Sequence, residues 1–282
     1  MIEYLLFATF VGLLFHGIHR KIIARVQGRP GPPIWQEILH TLKFSFKETW
    51  VPKTASQTLF VAVVFVAIGI WSAALFVLLS GGSLLLLFAV YLLHKIVEHG
   101  TGLSSGSPYA KFGAIRSVIS AASELPLLAT VAVIYLFTGS LSIAEIAAYQ
   151  QVHGPLLFTA AFPAAVALYL VILSKMHYGP FSIIEAKEIV SGNMTEHFGV
   201  WRAGLEVGFA LKTYVLLYAF VLLFVGALPL GLTLLLMLLI LVSLSFVCAV
   251  SPMLSPYDTV TIQSLVTGAL VIYIIVLGVI MG

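Results

Sequence analysis

The chain has 282 residues, 61% of them hydrophobic and 9% charged, with a formal net charge of +3. That balance excludes a water-soluble globular core and places the chain in lipid. The small positive charge fits attraction to a membrane surface and gives no case for nucleic acid. The single cysteine, Cys248, excludes an internal disulfide and a four-cysteine iron–sulfur site.

Eight apolar stretches reach or approach the roughly 20 helical residues that cross a hydrocarbon layer. They run over about 2–19, 58–80, 82–98, 113–138, 155–174, 204–226, 228–250 and 258–281. The expected fold is therefore an all-α integral membrane protein with eight transmembrane helices, forming one polytopic domain over 1–282. The first stretch begins at Met1 without a basic leader or a small-residue cleavage site, so it reads as a retained helix. All 14 lysines and arginines fall in three loops, about 20–57, 94–112 and 175–203, or within a turn or two of them. The positive-inside bias makes these loops cytoplasmic and puts both termini outside, in a cell inner or plasma membrane. The outward connections, Ser80-Gly81-Gly82, 139–154 and Ala227-Leu228-Pro229, carry little charge.

At the end of the first helix come His16 and His19, and at the end of the third His94 and His99. Cross-helix pairing around a haem is geometrically conceivable, but membrane-end histidines more often face headgroups or bind carboxylates. In the first loop, Pro30, Pro32 and Pro33 around Gly31 stop the helix and redirect the chain. Beyond them Ile34, Trp35, Ile38, Leu39, Leu42 and Phe46 recur at helical spacing, with Glu37, His40, Lys43 and Lys47 on the other side. This pattern predicts an amphipathic helix along the bilayer surface.

Charges inside the apolar stretches are the candidates for function, because an ionisable group at membrane depth is costly unless paired or hydrated. Lys95 and Glu98, three apart on one face, read as a shallow salt bridge. Glu124, two turns into the fourth stretch between Ser120 and Pro126, reads as a proton or charge relay, or else as a neutral brace at a proline kink. Glu206 and Lys212 lie on different faces of the sixth helix, so each looks elsewhere: Glu206 to Arg202, Lys212 to Glu124 or Glu98. Glu185, Glu188 and Glu196 place three acids in the third loop. Asp258 suits a helix N-terminus.

Three blocks carry a family resemblance. The run 20–48 contains Arg20-Lys21, Ala24-Arg25, Gln27, Arg29, Gly31-Pro32, Gln36, Lys43 and Lys47-Glu48. The second block is Ser104 to Arg116, leading on to Glu124. The third runs from Pro180 to Gly192, followed by Thr195-Glu196-His197. In order and spacing these resemble the subunit 1 family of respiratory complex I and the homologous membrane anchors of energy-converting hydrogenases and ferredoxin-linked complexes. Three departures stand out: His40 replaces the usual acid of the surface helix, Ser182 replaces an aspartate, and the segment between Glu185 and Gly192 is one residue short. The mixture of hydrogenase-like and complex I-like blocks resembles an intermediate, ferredoxin-linked relative.

The resemblance implies a subunit that holds no redox centre itself. It would dock peripheral iron–sulfur and catalytic subunits on the cytoplasmic face, beside antiporter-like membrane subunits. Docking would fall to Arg20, Lys21, Arg25, Gln27, Arg29, Gly31, Pro32, Gln36, Lys43 and Arg116. Proton or sodium movement would run through Glu124, Glu98, Glu206, Lys212, Glu185, Glu188 and Glu196. A quinone-site subunit of a true NADH:quinone complex stays open as an alternative, as does a structural anchor without an ion path. A stand-alone secondary transporter would need an inverted repeat, and none is evident.

Overall fold

The computed structural model describes residues 1–183 and 194–281 and is helical throughout, apart from one isolated antiparallel bridge between Ser83 and Ser142. In chain order the helices are α1 (Ile2–Val26), α2 (Gln36–Ser45), α3 (Gln57–Leu79), α4 (Leu84–Ser104), α5 (Pro108–Ile119), α6 (Glu124–Thr138), α7 (Ile143–His153), α8 (Phe162–Lys175), α9 (Val200–Phe224), α10 (Leu230–Val250) and α11 (Pro256–Met281). A 3-10 turn over Ser120–Ser123 joins α5 to α6. Helices are the expected solution, because lipid offers no partners for backbone N–H and C=O groups.

Seven segments among the described residues are long and apolar enough to cross a membrane, with Pro108–Thr138 counted as one. The fifth expected span, 155–174, differs. It begins with a 3-10 turn at Leu156–Phe158, and its helix α8 has only 14 residues. At 1.5 Å per residue that is about 21 Å, against a hydrocarbon core of about 30 Å. The stretch 139–154, expected as a simple connection, contains α7. Its buried Gln150 donates to the Leu222 carbonyl at 3.0 Å and so ties α7 to α9.

The central helix is α9, 89% of whose membrane window is buried; the peripheral α11 has 17%. Helix α9 packs mainly on α1 and α3, and α3 on α4. Close approach of α1 depends on two glycines. A Cβ on Gly12 would lie 2.1 Å from the Ala210 carbonyl oxygen of α9, and one on Gly17 would lie 1.8 Å from that of Ile34.

The loops of the basic face are fastened to one another. Trp50 stacks on Phe198 at 4.5 Å, Val200 N–H donates to Thr49 Oγ1 at 3.1 Å, and Ser56 N–H donates to the Ser104 carbonyl at 2.9 Å. After α8 the chain turns tightly: Ser182 Oγ accepts from Gly179 N–H at 2.8 Å and donates to the Met176 carbonyl at 2.9 Å. Serine can do both, whereas an ionised aspartate at this position could only accept.

Helix α2 forms where the hydrophobic spacing places it, and its apolar side faces away from the bundle. Trp35, Leu39, Leu42 and Phe46 are exposed, whereas Glu37 and Thr41 are buried. Glu37 turns inward because Arg20 of α1 meets it there in an ion pair.

Candidate charge-relay site inside the helix bundle

Helix α4 presents Tyr91, His94, Lys95 and Glu98 at spacings of three and four, so one face carries a phenol, an imidazole, an ammonium and a carboxylate. Opposite that face, the fourth membrane segment breaks at its 3-10 turn. The α-helix resumes at Glu124, which places a carboxylate at the positive end of α6. Helix α8 ends on Lys175, which places a cation at its negative end. The two helix ends meet: Lys175 Nζ lies 3.5 Å from Glu124 Oε1 and over the Tyr91 ring.

Lys95 connects the two carboxylates. Its Nζ donates to Glu98 Oε2 at 2.7 Å and to Ser120 Oγ at 2.6 Å, and lies 3.7 Å from Glu124 Oε1. His94 continues the chain, with Nε2 3.3 Å from Glu98 Oε1. Trp71 Nε1–H donates to His94 Nδ1 at 3.2 Å, so Nδ1 accepts and the neutral ring carries its proton on Nε2, facing Glu98. All these groups except the half-buried Lys95 are buried, with Glu98 5% and Glu124 8% exposed.

Two carboxylates and two ammonium groups thus alternate from α4 to α8 with balanced charge. Such a line can pass a proton from a lysine to a carboxylate. It can also shift Lys95 between Glu98 and Glu124 without leaving a net charge in the interior.

A second polar line runs beside it. His16 Nε2 lies 2.7 Å from Thr213 Oγ1, His19 Nδ1 lies 2.8 Å from Ser245 Oγ, and His19 Nε2 donates to the His177 carbonyl at 2.7 Å. Phe209 separates the two lines, with its ring against both His94 and His177. His99 lies 2.9 Å from the Ala114 carbonyl. The histidines considered for a haem thus hold hydroxyls, a carboxylate and carbonyls.

The relay candidates separate on this geometry. Glu98 and Glu124 lie at the centre. Glu206 pairs with Arg202 at 2.7 Å, as its spacing predicts. Lys212 is buried over the Phe209 ring at 4.3 Å, and Lys175 and Lys95 lie within 4 Å of Glu124. Glu196 is half-buried in the turn before α9. Glu185 and Glu188 lie outside the described residues.

The docking candidates separate too. Arg20 is held by Glu37, Lys21 donates to the Pro30 carbonyl at 2.8 Å, Gln27 to Ala249 at 3.3 Å, and Arg116 to Ile183 at 3.3 Å. Gly31 takes a positive φ of 65°, Pro32 follows it, and Gln36 opens α2. Arg29 reaches the side chain of Gln27. Arg25, Arg29 and Lys43 remain exposed.

Sequence reasoning missed Lys175, which counted only as a loop charge. The available signal was its position directly at the end of the apolar run 155–174. His94, one residue before Lys95 and one turn before Glu98, was also readable as part of that face.

The NADH dehydrogenase family model matches residues 1–281. A Methanocaldococcus jannaschii protein named as an NADH-ubiquinone oxidoreductase is 46% identical over 278 residues, covering 96% of this chain and 94% of that protein. Hydrogenase-4 component C of Escherichia coli is 32% identical over 231 residues, covering 77% and 71%. Among solved structures, a chain of the membrane-bound sulfane sulfur reductase, an archaeal respiratory membrane complex, matches with a TM-score of 0.87. It is 27% identical, and 97% of each chain is covered. The chain belongs to the NADH dehydrogenase family and is a multi-pass membrane protein of the complex I subunit 1 type.

Proposed function

We propose that this subunit docks the soluble redox arm of a complex I-related, ferredoxin-linked oxidoreductase and couples its electron transfer to proton or sodium movement. The observation that carries this reading is the buried line Glu98–Lys95–Glu124–Lys175 at a break in a membrane-crossing segment. Four charges inside an apolar bundle cost more than a hydrophobic filling of the same shape, so retaining them fits a charge-moving role. Structural likeness to the sulfane sulfur reductase chain and sequence likeness to the hydrogenase-4 component support a respiratory complex with separate catalytic subunits. The ferredoxin linkage, the iron–sulfur partners and the antiporter-like neighbours rest on the family resemblance. Electrons stay in the partners, and the basic face, held to be cytoplasmic, receives them.

The experiment is Glu124→Gln in the whole complex in sealed vesicles, with ion uptake measured per electron. Glutamine keeps the shape but cannot ionise. We expect assembly to persist and uptake to fall, with Glu124→Asp recovering part of it. A normal ratio and rate in the glutamine variant would reduce Glu124 to a structural brace. Cysteines at Gln151 and Lys53 check the orientation: the first should label from outside and the second only from inside.

A further inference from the structure

Helix α11 is the least enclosed of the long helices, yet its inward face carries two polar side chains with no hydrogen-bond partner among the described residues. Thr259 is 3% and Gln263 2% exposed, and they lie four residues apart on one face. The hydroxyl of Thr259 and both polar atoms of the Gln263 amide are unsatisfied among the described residues. Buried polar atoms are almost always partnered, and lipid supplies no substitute.

Their place in the bundle is set by Leu270 on the same face, which clusters with Ala129 of α6 and Ala167 of α8. Helix α11 also packs along the 3-10 turn and touches α5. Gln263 lies two turns, about 10 Å, before Leu270 along α11, the helix that packs on Ser120–Ser123. That turn reads Ser-Ala-Ala-Ser, a run of small residues beside α11. Ser120 in this turn accepts the hydrogen bond from Lys95.

The unsatisfied atoms are enclosed by this chain, so neither a lipid tail nor a neighbouring subunit can reach them. A cation cage would need acceptors alone, and the Gln263 amide also points two N–H donors into the site. Water both donates and accepts, and buried water characteristically bridges otherwise unsatisfied groups. We propose that Thr259 and Gln263 hold internal water between α11 and the 3-10 turn, and that this water gives the Lys95–Glu124 line a proton connection toward α11. The water site stands on its own; the proton role rests on the coupling function proposed above.

Two measurements test it. In a cryo-EM map of the assembled complex fine enough to show water, density should lie within hydrogen-bond distance of Gln263 and Thr259. A Gln263 amide bonded directly to a protein carbonyl, or a sodium ion in the site, would overturn the water site. The paired substitution Thr259→Val with Gln263→Met should remove that density and slow proton uptake severalfold, with a changed solvent isotope effect. Wild-type uptake and isotope effect in the pair, alongside a defective Glu124→Gln, would sink the proton route and leave the coupling function standing. Water at Gln263 with a fully active Glu124→Gln would leave the water site standing and sink the coupling function together with the proton role that rests on it. Thermal unfolding adds a separate check: apolar replacements should stabilise the protein if the site is dry, which counts against the proposal, and should fail to do so if water is lost.

Discussion

The first loop and the α4–α6–α8 core carry similar kinds of charge under opposite rules. In the loop, Arg25, Arg29 and Lys43 remain exposed, whereas Arg20, facing Glu37, is drawn into an ion pair. In the core, Lys95, Lys175, Glu98 and Glu124 each lie within 4 Å of an opposite charge. Water satisfies a charge at the surface, whereas inside the bundle only another side chain or enclosed water can do so. Exposed charges are therefore free to meet a partner, and buried ones are free only to exchange with one another.

The largest break in that contrast is Lys175→Met. It takes one of the two described lysines from Glu124, leaving Lys95 at 3.7 Å, and stripping one partner from a buried pair costs about 3–5 kcal/mol. Thermal unfolding of the detergent-solubilised protein should drop accordingly. The double variant Lys175→Met with Glu124→Gln should regain most of the loss, because the buried carboxylate that lost its lysine is also removed. An equally unstable double variant would mean that Lys175 acts through packing alone.

The next effect is a pH dependence at the boundary between the two regimes. His197, between α8 and α9, is buried against Phe60, stacked at 3.9 Å. Burial, with the nearby Arg202 adding to it, pushes its imidazole down to about 4. A histidine lowered on folding contributes stability above its unfolded value of about 6.5, and that stability is lost as pH falls from there toward 4. The full difference is about 3 kcal/mol, at 1.36 kcal/mol per unit. Hydrogen exchange of residues 194–200 should therefore accelerate between pH 6.5 and 4, and His197→Phe should flatten that dependence. An unchanged profile in His197→Phe would assign the acid sensitivity elsewhere.

Smaller still is the effect of the Arg202–Glu206 pair, a buried carboxylate and a half-buried arginine one turn apart on α9, where water can still reach the arginine. Arg202→Gln should shift the melting temperature only slightly. A loss as large as that of Lys175→Met would show that the rim of the bundle is as dry as its centre. At the exposed end, replacing Arg25 and Arg29 with alanine should change the protein's stability by no more than about 0.5 kcal/mol while releasing soluble subunits from the complex. Retention of those subunits with full activity would remove the docking role from these arginines.

The helical class, most of the membrane-crossing segments and the existence of a helix at α2 were legible because each depends on local periodicity and length. The Arg202–Glu206 and Lys95–Glu98 pairs were legible for the same reason, since partners three or four apart on a helix must share a face. The Lys175–Glu124 contact was not, because its residues are 51 positions apart and belong to helices whose meeting depends on how the bundle closes. Nor was the inward turn of Glu37, which follows from Arg20 on a neighbouring helix and reverses the face that periodicity alone would leave outside.

Composition by itself determined that this chain lives in lipid, and the charge pattern picked out which acids needed explanation, because an unpaired charge has no stable place there. Only the tertiary structure decided the remedy for each of them. It shortened α8 so that Lys175 ends beside Glu124, broke the fourth segment so that Ser120 faces Lys95, and turned α11 so that Gln263 points inward. Those outcomes depend on the packing of helices distant in sequence, and on the need of every buried polar group for a partner brought to it by the fold.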